Sequence, residues 1–233
     1  MKDWLAGFLF AVAATVALPV MAQKTVTFDD QDMMNPWRWV QQSQEIEKTT
    51  GYKINWRQFG GGGDVIRAMA SGDVELGEVG STGIATAISQ GMDVELFWIL
   101  EDIAAAEALV ARNGSGINSI KDLKGKKIAT PFVSTSHFQL LYALNKAGIK
   151  PSDAQILNMR PPEIAAAWGR GDIDATFIWN PVLSTIMPNG KVIMTSGDIC
   201  KEGACTFDGL IVTRKFAKEN PDFMVALVKA LAK

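Results

Sequence analysis

From residue 24 onward, short continuous apolar runs alternate with segments whose apolar positions recur every three or four residues. The first pattern reads as strand and the second as amphipathic helix. Strands are expected at 24–28, 52–58, 75–79, 94–100 and 107–111. Helices are expected between them at 37–50, 64–71 and 82–90. A second series follows, with a helical turn at 119–123 and strands at 126–129, 155–158, 173–178, 191–194 and 207–213. Its helices fall at 136–147, 162–170 and 181–187. Two more helical segments run to residue 233, with Pro221 suited to a first helical position. Such strand–helix repetition predicts an α/β fold with mostly parallel strands.

The polar, glycine-bearing stretch 112–117 divides the two series and reads as a hinge. A second crossing is expected near 205–208. The division is then lobe 1 at 23–111, lobe 2 at 112–207, and a return to lobe 1 at 208–233. Two α/β lobes joined by two crossings form a clamshell. Ligands of such sheets sit beyond the carboxyl ends of the strands, here between the lobes. The last helical pattern has no stop signal, so a missing C-terminal part is expected.

The first 22 residues obey a different rule. Lys2 precedes an apolar run that ends at Pro19-Val20-Met21-Ala22. This is the pattern of an export signal with cleavage after Ala22, and the run is short for a membrane span. Export places Cys200 and Cys205 in an oxidising compartment, where so close a pair tends to form a disulfide. That bond would clamp the segment ahead of Asp208. The formal net charge is −2. With no basic stripe, nothing calls for a nucleic-acid partner.

Several stretches carry a resemblance to a known family. They are Ser71-Gly72-Asp73 with the glycine at 77, Asp122-Leu123 followed by Gly125-Lys126, the run 132–137, and the run 161–174 with its Pro-Pro and Ala-Ala-Trp. These resemble the receptors of ABC importers for aliphatic sulfonates, nitrate and pyrimidine precursors. The runs 132–137 and 161–174 are similar to the taurine branch. The resemblance implies a type II clamshell, a small zwitterionic ligand, a membrane permease as partner, a periplasmic location, a monomer and no cofactor. In the family the acids matching Glu107 and Asp208 hold the ligand's amine. Another alkanesulfonate, nitrate or a pyrimidine precursor remains the alternative ligand on the same fold.

Taurine has a sulfonate and an ammonium, and both need partners once buried. Ser81 and Thr82 open one expected helix, and Ser134, Thr135 and Ser136 open another. Helix starts offer free N–H groups and a positive dipole end to an anion. Each is equally an ordinary helix cap. His137, the only histidine, stands beside them as a donor or a packing residue. Glu107 starts an expected first-lobe strand, and Asp208 starts the returning one. Both are placed near the crossings to face the ammonium, against a plain surface role. Trp179 comes just after the strand at 173–178 and either covers the ligand or fills the core. The first loop is acidic at Asp29, Asp30 and Asp32, so Asp29 is a further candidate for the amine or a turn residue.

The glycine run 60–63 lacks the ending of a phosphate loop. His137 has no nucleophile elbow and no separate orienting group, which argues against a hydrolase. The cysteine pair has no nearby histidine, which argues against a metal site.

Overall fold

The computed structural model describes residues 23–31, 33–35 and 37–233. The expected export signal, residues 1–22, and Asp32 lie outside the described residues. The chain begins with β1 (Thr25–Gln31), α1 (Trp37–Ser43), α2 (Glu45–Thr50), β2 (Lys53–Phe59), α3 (Gly62–Ala70), β3 (Leu76–Gly80), α4 (Ser81–Ser89) and β4 (Val94–Asp102). It continues with β5 (Glu107–Arg112), β6 (Lys127–Thr130), α5 (Thr135–Lys146), β7 (Gln155–Asn158), α6 (Pro161–Arg170), β8 (Ala175–Trp179), α7 (Val182–Ile186), β9 (Gly190–Thr195) and α8 (Ser196–Lys201). It ends with β10 (Phe207–Thr213), α9 (Arg214–Glu219) and α10 (Pro221–Leu231).

The strands form two five-stranded sheets, in the orders β2-β1-β3-β10-β4 and β7-β6-β8-β5-β9. The two orders are alike. In each, the fourth strand runs antiparallel to both neighbours, and that strand has just arrived from the other sheet. Helices cover both faces of each sheet, so central strands are buried on both sides and read as continuous apolar runs. β8 is buried at every position. In the second sheet, Val110 and Ile178 join the core under α6 and α7, while Leu109 and Phe177 join the core under α5. The first sheet has one core with Phe28, Trp37 and Phe223 and another with Val65, Val79 and Ile84.

Local sequence explains most element ends. Gly51, Gly148 and Gly171 take positive φ just past α2, α5 and α6, the conformation that ends helices with least strain in glycine. The expected single helix at 37–50 is broken at Gln44, which has φ +55°. One helix was not foreseen: α8 is opened by a reciprocal capping box between Thr195 and Asp198.

Sheet membership moves one boundary. The strand Glu107–Arg112 pairs with β8 and β9, so it belongs to the second sheet and not to lobe 1. The first crossing therefore falls at 103–106, not at 112–117. The latter stretch is a surface turn, with Ser115 N–H bonded to the Arg112 carbonyl at 3.1 Å. Polar, glycine-bearing composition suits both a hinge and a tight turn, and only strand pairing separates the two. The returning crossing runs through 204–206. The crossings touch each other, because the Ile103 N–H donates to the Thr206 carbonyl at 3.2 Å. Gln139 Nε2 of α5 donates to Thr206 Oγ1 at 2.7 Å, and Cys200 and Cys205 are joined in a disulfide beside it.

Each sheet needs its own filled core. Phe177→Ala empties a fully buried position of the second sheet. It should cost about 3–5 kcal/mol in urea unfolding, whereas Phe138→Ala, at 39% exposure, should cost under about 1 kcal/mol.

Candidate functional site

Strand direction decides which residues meet. The parallel strands β1, β3, β6 and β8 end at Gln31, Gly80, Thr130 and Trp179. The antiparallel strands start where these end, so Glu107 pairs with Trp179 and Asp208 pairs with Gly80. Both acids thus reach the rim of their sheet, and the two rims face each other. A narrow cleft between them is lined by Gln31, Met33, Gly62, Gly80 and Asp208 from the first-sheet side, and by Glu107, Val133, Ser134, Thr135 and Trp179 from the second. The rims approach closely. A Cβ at Gly80 would stand 2.7 Å from Thr135 Cγ2 and 3.3 Å from Asp208 Oδ1.

Glu107 is 3% exposed and Asp208 is 5% exposed. Thr135 Oγ1 donates to Glu107 Oε1 at 2.6 Å, and Ser196 Oγ donates to Oε2 at 3.4 Å. Burial outweighs these bonds and pushes the Glu107 carboxyl up to about 7. Asp208 is raised well above the usual carboxylate range, first by burial and then by repulsion from Glu107 and Glu101. Glu78, under the first-sheet rim, is raised by burial and by Asp29 and Asp208. It accepts from Asn35 Nδ2 at 2.6 Å. Among the described residues no Lys or Arg lines the cleft. The site is a set of buried carboxyl groups short of positive charge.

The other expected residues take different places. Asp29 is fully buried behind the rim, where it accepts from the Glu78 N–H. Asp30 is ion-paired with Arg38 instead. Ser81 Oγ accepts from the Phe207 N–H at 3.3 Å and so ties α4 to the returning crossing. Thr82 has a buried hydroxyl off the cleft lining, and the buried Ser136 hydroxyl lies beside Glu107. His137 stacks on Phe132 at 4.2 Å, and its N–H donates to Ser134 Oγ. Its imidazole pKa is lowered by burial. The Thr135 hydroxyl, expected to face an anion, instead holds Glu107. What an anion can meet is the first turn of α5, whose leading N–H groups have no partner within the helix.

Sequence reading missed Gln31, Met33, Gly80, Val133 and Ser196, while it had Ser134 at the helix start and the glycine run 60–63 near the cleft. The strand-end rule that located Trp179 applies equally to Gln31 and Gly80. Ser196 had no signal, because α8 was not expected. Among the described residues no group of three or more His, Cys, Asp or Glu is placed to hold a metal ion.

The raised Glu107 carboxyl links stability to pH. The folded state holds this proton up to about 7, against 4.5 for the ordinary carboxyl. Between those values the folded state binds more protons than the unfolded one, so ligand-free stability falls as pH rises through the window. Glu107→Gln removes the penalty. It should raise ligand-free stability by roughly 3 kcal/mol at pH 8 and change it little at pH 4, as read by urea unfolding at the two pH values.

Comparison with known proteins identifies the family and the fold. The family model described as NMT1/THI5 like matches residues 48–233. The chain is 39% identical over 222 residues to the taurine-binding periplasmic protein of Escherichia coli (strain K12), covering 95% of this chain and 68% of that one. It is 30% identical over 174 residues to a putative aliphatic sulfonates-binding protein of the same organism, covering 74% of this chain and 53% of the relative. Among solved structures, the alkanesulfonate-binding protein of Xanthomonas axonopodis pv. citri bound to MOPS superposes with a TM-score of 0.78 at 24% identity, covering 91% of this chain and 73% of that chain. The fold is thus that of the two-lobed sulfonate-binding proteins, and the chain belongs to the NMT1/THI5-like family.

Proposed function

We propose that this protein is the extracytoplasmic solute-binding component of an ABC importer and captures taurine or a similar small aminosulfonate between its lobes. One observation carries the reading. Glu107 and Asp208 come from different sheets to one narrow cleft, both buried, and among the described residues no Lys or Arg lines it. A buried carboxylate without a cation is unfavourable, so the site favours a ligand that brings one. The N-terminal turn of α5 lies beside them and favours an anionic end. Trp179 on the same rim offers an aromatic face to the ammonium. An anion and a cation a short chain apart describe an aminosulfonate. The names of the relatives support the same class.

Capture without chemistry is the reading that the relatives' names support, each being that of a binding protein. A binding protein of this kind closes over its solute and hands it to a membrane permease. That role belongs to the periplasm, where the relatives' names place them and where the leading 22 residues would direct the chain. Nitrate or an alkanesulfonate without an amine would leave both acids unpaired, which disfavours those ligands here.

Calorimetric titration tests the reading directly. Taurine should bind, while ethanesulfonate, and taurine against Asp208→Asn, should bind about 10–100-fold more weakly, the scale of one charge-assisted hydrogen bond. Equal binding of ethanesulfonate would show that the acids do not face the ligand. Taurine affinity should also fall as pH drops below about 7, where Glu107 takes up its proton, by up to about tenfold per pH unit. Flat affinity from pH 8 to pH 5 would remove Glu107 from the contact.

A further inference from the structure

Two apolar side chains at the cleft cross from one lobe into the core of the other. Met33, in the loop after β1 of the first sheet, packs against the second-sheet core that contains Trp179 and Val182. Val133, in the loop before α5 of the second sheet, packs against the first-sheet core that contains Val65, Val79 and Ile84. Both also line the cleft. The exchange is reciprocal, and it holds only while the lobes are together.

The surroundings are built for it. Val133 has φ +59°, a left-handed conformation that a β-branched residue adopts only under constraint. Its loop is held on both sides: Ser134 Oγ donates to the Pro131 carbonyl at 2.6 Å, and the Phe132 N–H donates to Asn158 Oδ1 at 2.9 Å. The receiving notch on the first lobe is made of glycines. A Cβ at Gly63 would lie 3.3 Å from the Phe132 carbonyl oxygen and 3.4 Å from Val133 Cβ, and one at Gly83 would lie 3.3 Å from the Val133 carbonyl oxygen. On the other side, Arg38 donates through Nε to the Met33 carbonyl at 2.8 Å and through Nη2 to the Gln31 carbonyl, which fixes the Met33 loop.

We propose that Met33 and Val133 are reciprocal latches, positioning residues that set how long the closed cleft retains its solute. This rests on the reading of the cleft as the taurine site. Each latch moves apolar surface out of water only on closure, so its stabilisation belongs to the closed form alone. Loss of a latch therefore speeds opening and leaves capture by the open form unchanged. Affinity differences of this kind appear in the dissociation rate.

Gly63→Ala separates latching from folding. The nearest atoms a methyl there would meet belong to Phe132, Val133 and the end of the Arg67 side chain. It enters α3, where alanine favours the helix. The first lobe should therefore keep or gain thermal stability while the Val133 notch is obstructed. The experiment uses stopped-flow taurine displacement on the parent, Met33→Ala, Val133→Ala and Gly63→Ala. In parallel, the lobe separation of the ligand-free proteins is measured by energy transfer between dyes at Lys53→Cys and Lys150→Cys, both exposed positions. Each latch variant should dissociate about tenfold faster with association within about twofold, show a longer ligand-free separation, and in Gly63→Ala retain the parental Tm. Unchanged dissociation rates in Met33→Ala and Val133→Ala would overturn the proposal. If the parent does not bind taurine, the ligand reading fails and the separation measurement alone decides: a longer distance in the variants upholds the latches, and an unchanged one rejects them.

Discussion

The site depends on the cost of burying two carboxyl groups without a cation. Glu107 and Asp208 are almost fully enclosed, and the side-chain donors that reach Glu107 are the neutral hydroxyls of Thr135, Ser136 and Ser196. Neutral donors of this kind orient a carboxylate but do not neutralise it. The ligand-free molecule answers by holding protons it would otherwise lose, as the raised Glu107 carboxyl shows. A cationic solute offers the same relief without the proton. On the proposed reading, ligand and proton compete for one negative charge, and the stability of the ligand-free protein is lowered to keep that charge available. Filling both acids with amides would give a steadier fold and an indifferent cleft.

Topology delivers the acids to that position with little help from local sequence. An antiparallel strand within an otherwise parallel sheet begins at the rim where its neighbours end. In each sheet that strand is the one arriving from the other lobe, so the first residues after each crossing necessarily enter the cleft. Glu107 is the first residue of β5 and Asp208 the second of β10. The same crossings carry the hinge contacts between Ile103 and Thr206. Chain passage, hinge and charge are therefore one feature, and a change in any of them moves the others.

This explains what the sequence disclosed and what it hid. Strands and helices were legible because both faces of each sheet are covered, which writes long apolar runs into β5, β8 and β10. Trp179 and Asp208 were legible because they end or begin such runs. The lobe boundary was not, since 112–117 and 103–106 each separate one strand from the next element, and only the pairing of β5 with β8 distinguishes a passage between lobes from a turn. The partners of the hydroxyls were hidden for a related reason. Ser81, Thr82, Thr135 and Ser136 were correctly placed at helix starts, but a hydroxyl's partner is set by what stands opposite. Opposite Thr135 stands Glu107, and opposite Ser81 stands the Phe207 N–H. Met33 and Val133 carried no signal, because an isolated apolar residue in a loop looks like any other until its contacts are seen.

Closure and charge burial then become parts of one process. While the cleft is open, water solvates Glu107 and Asp208 and their ionised forms cost little. As the rims meet, that water leaves and the acids require a cation, whereas Met33 and Val133 gain their apolar contacts. The two effects have opposite signs in the ligand-free protein and the same sign once an ammonium is present. The latches alone favour closing over anything, and the acids alone disfavour closing over nothing. On the proposed reading of the cleft, the two together make closure conditional on the solute's positive end, the condition that separates an aminosulfonate receptor from a receptor for sulfonates in general.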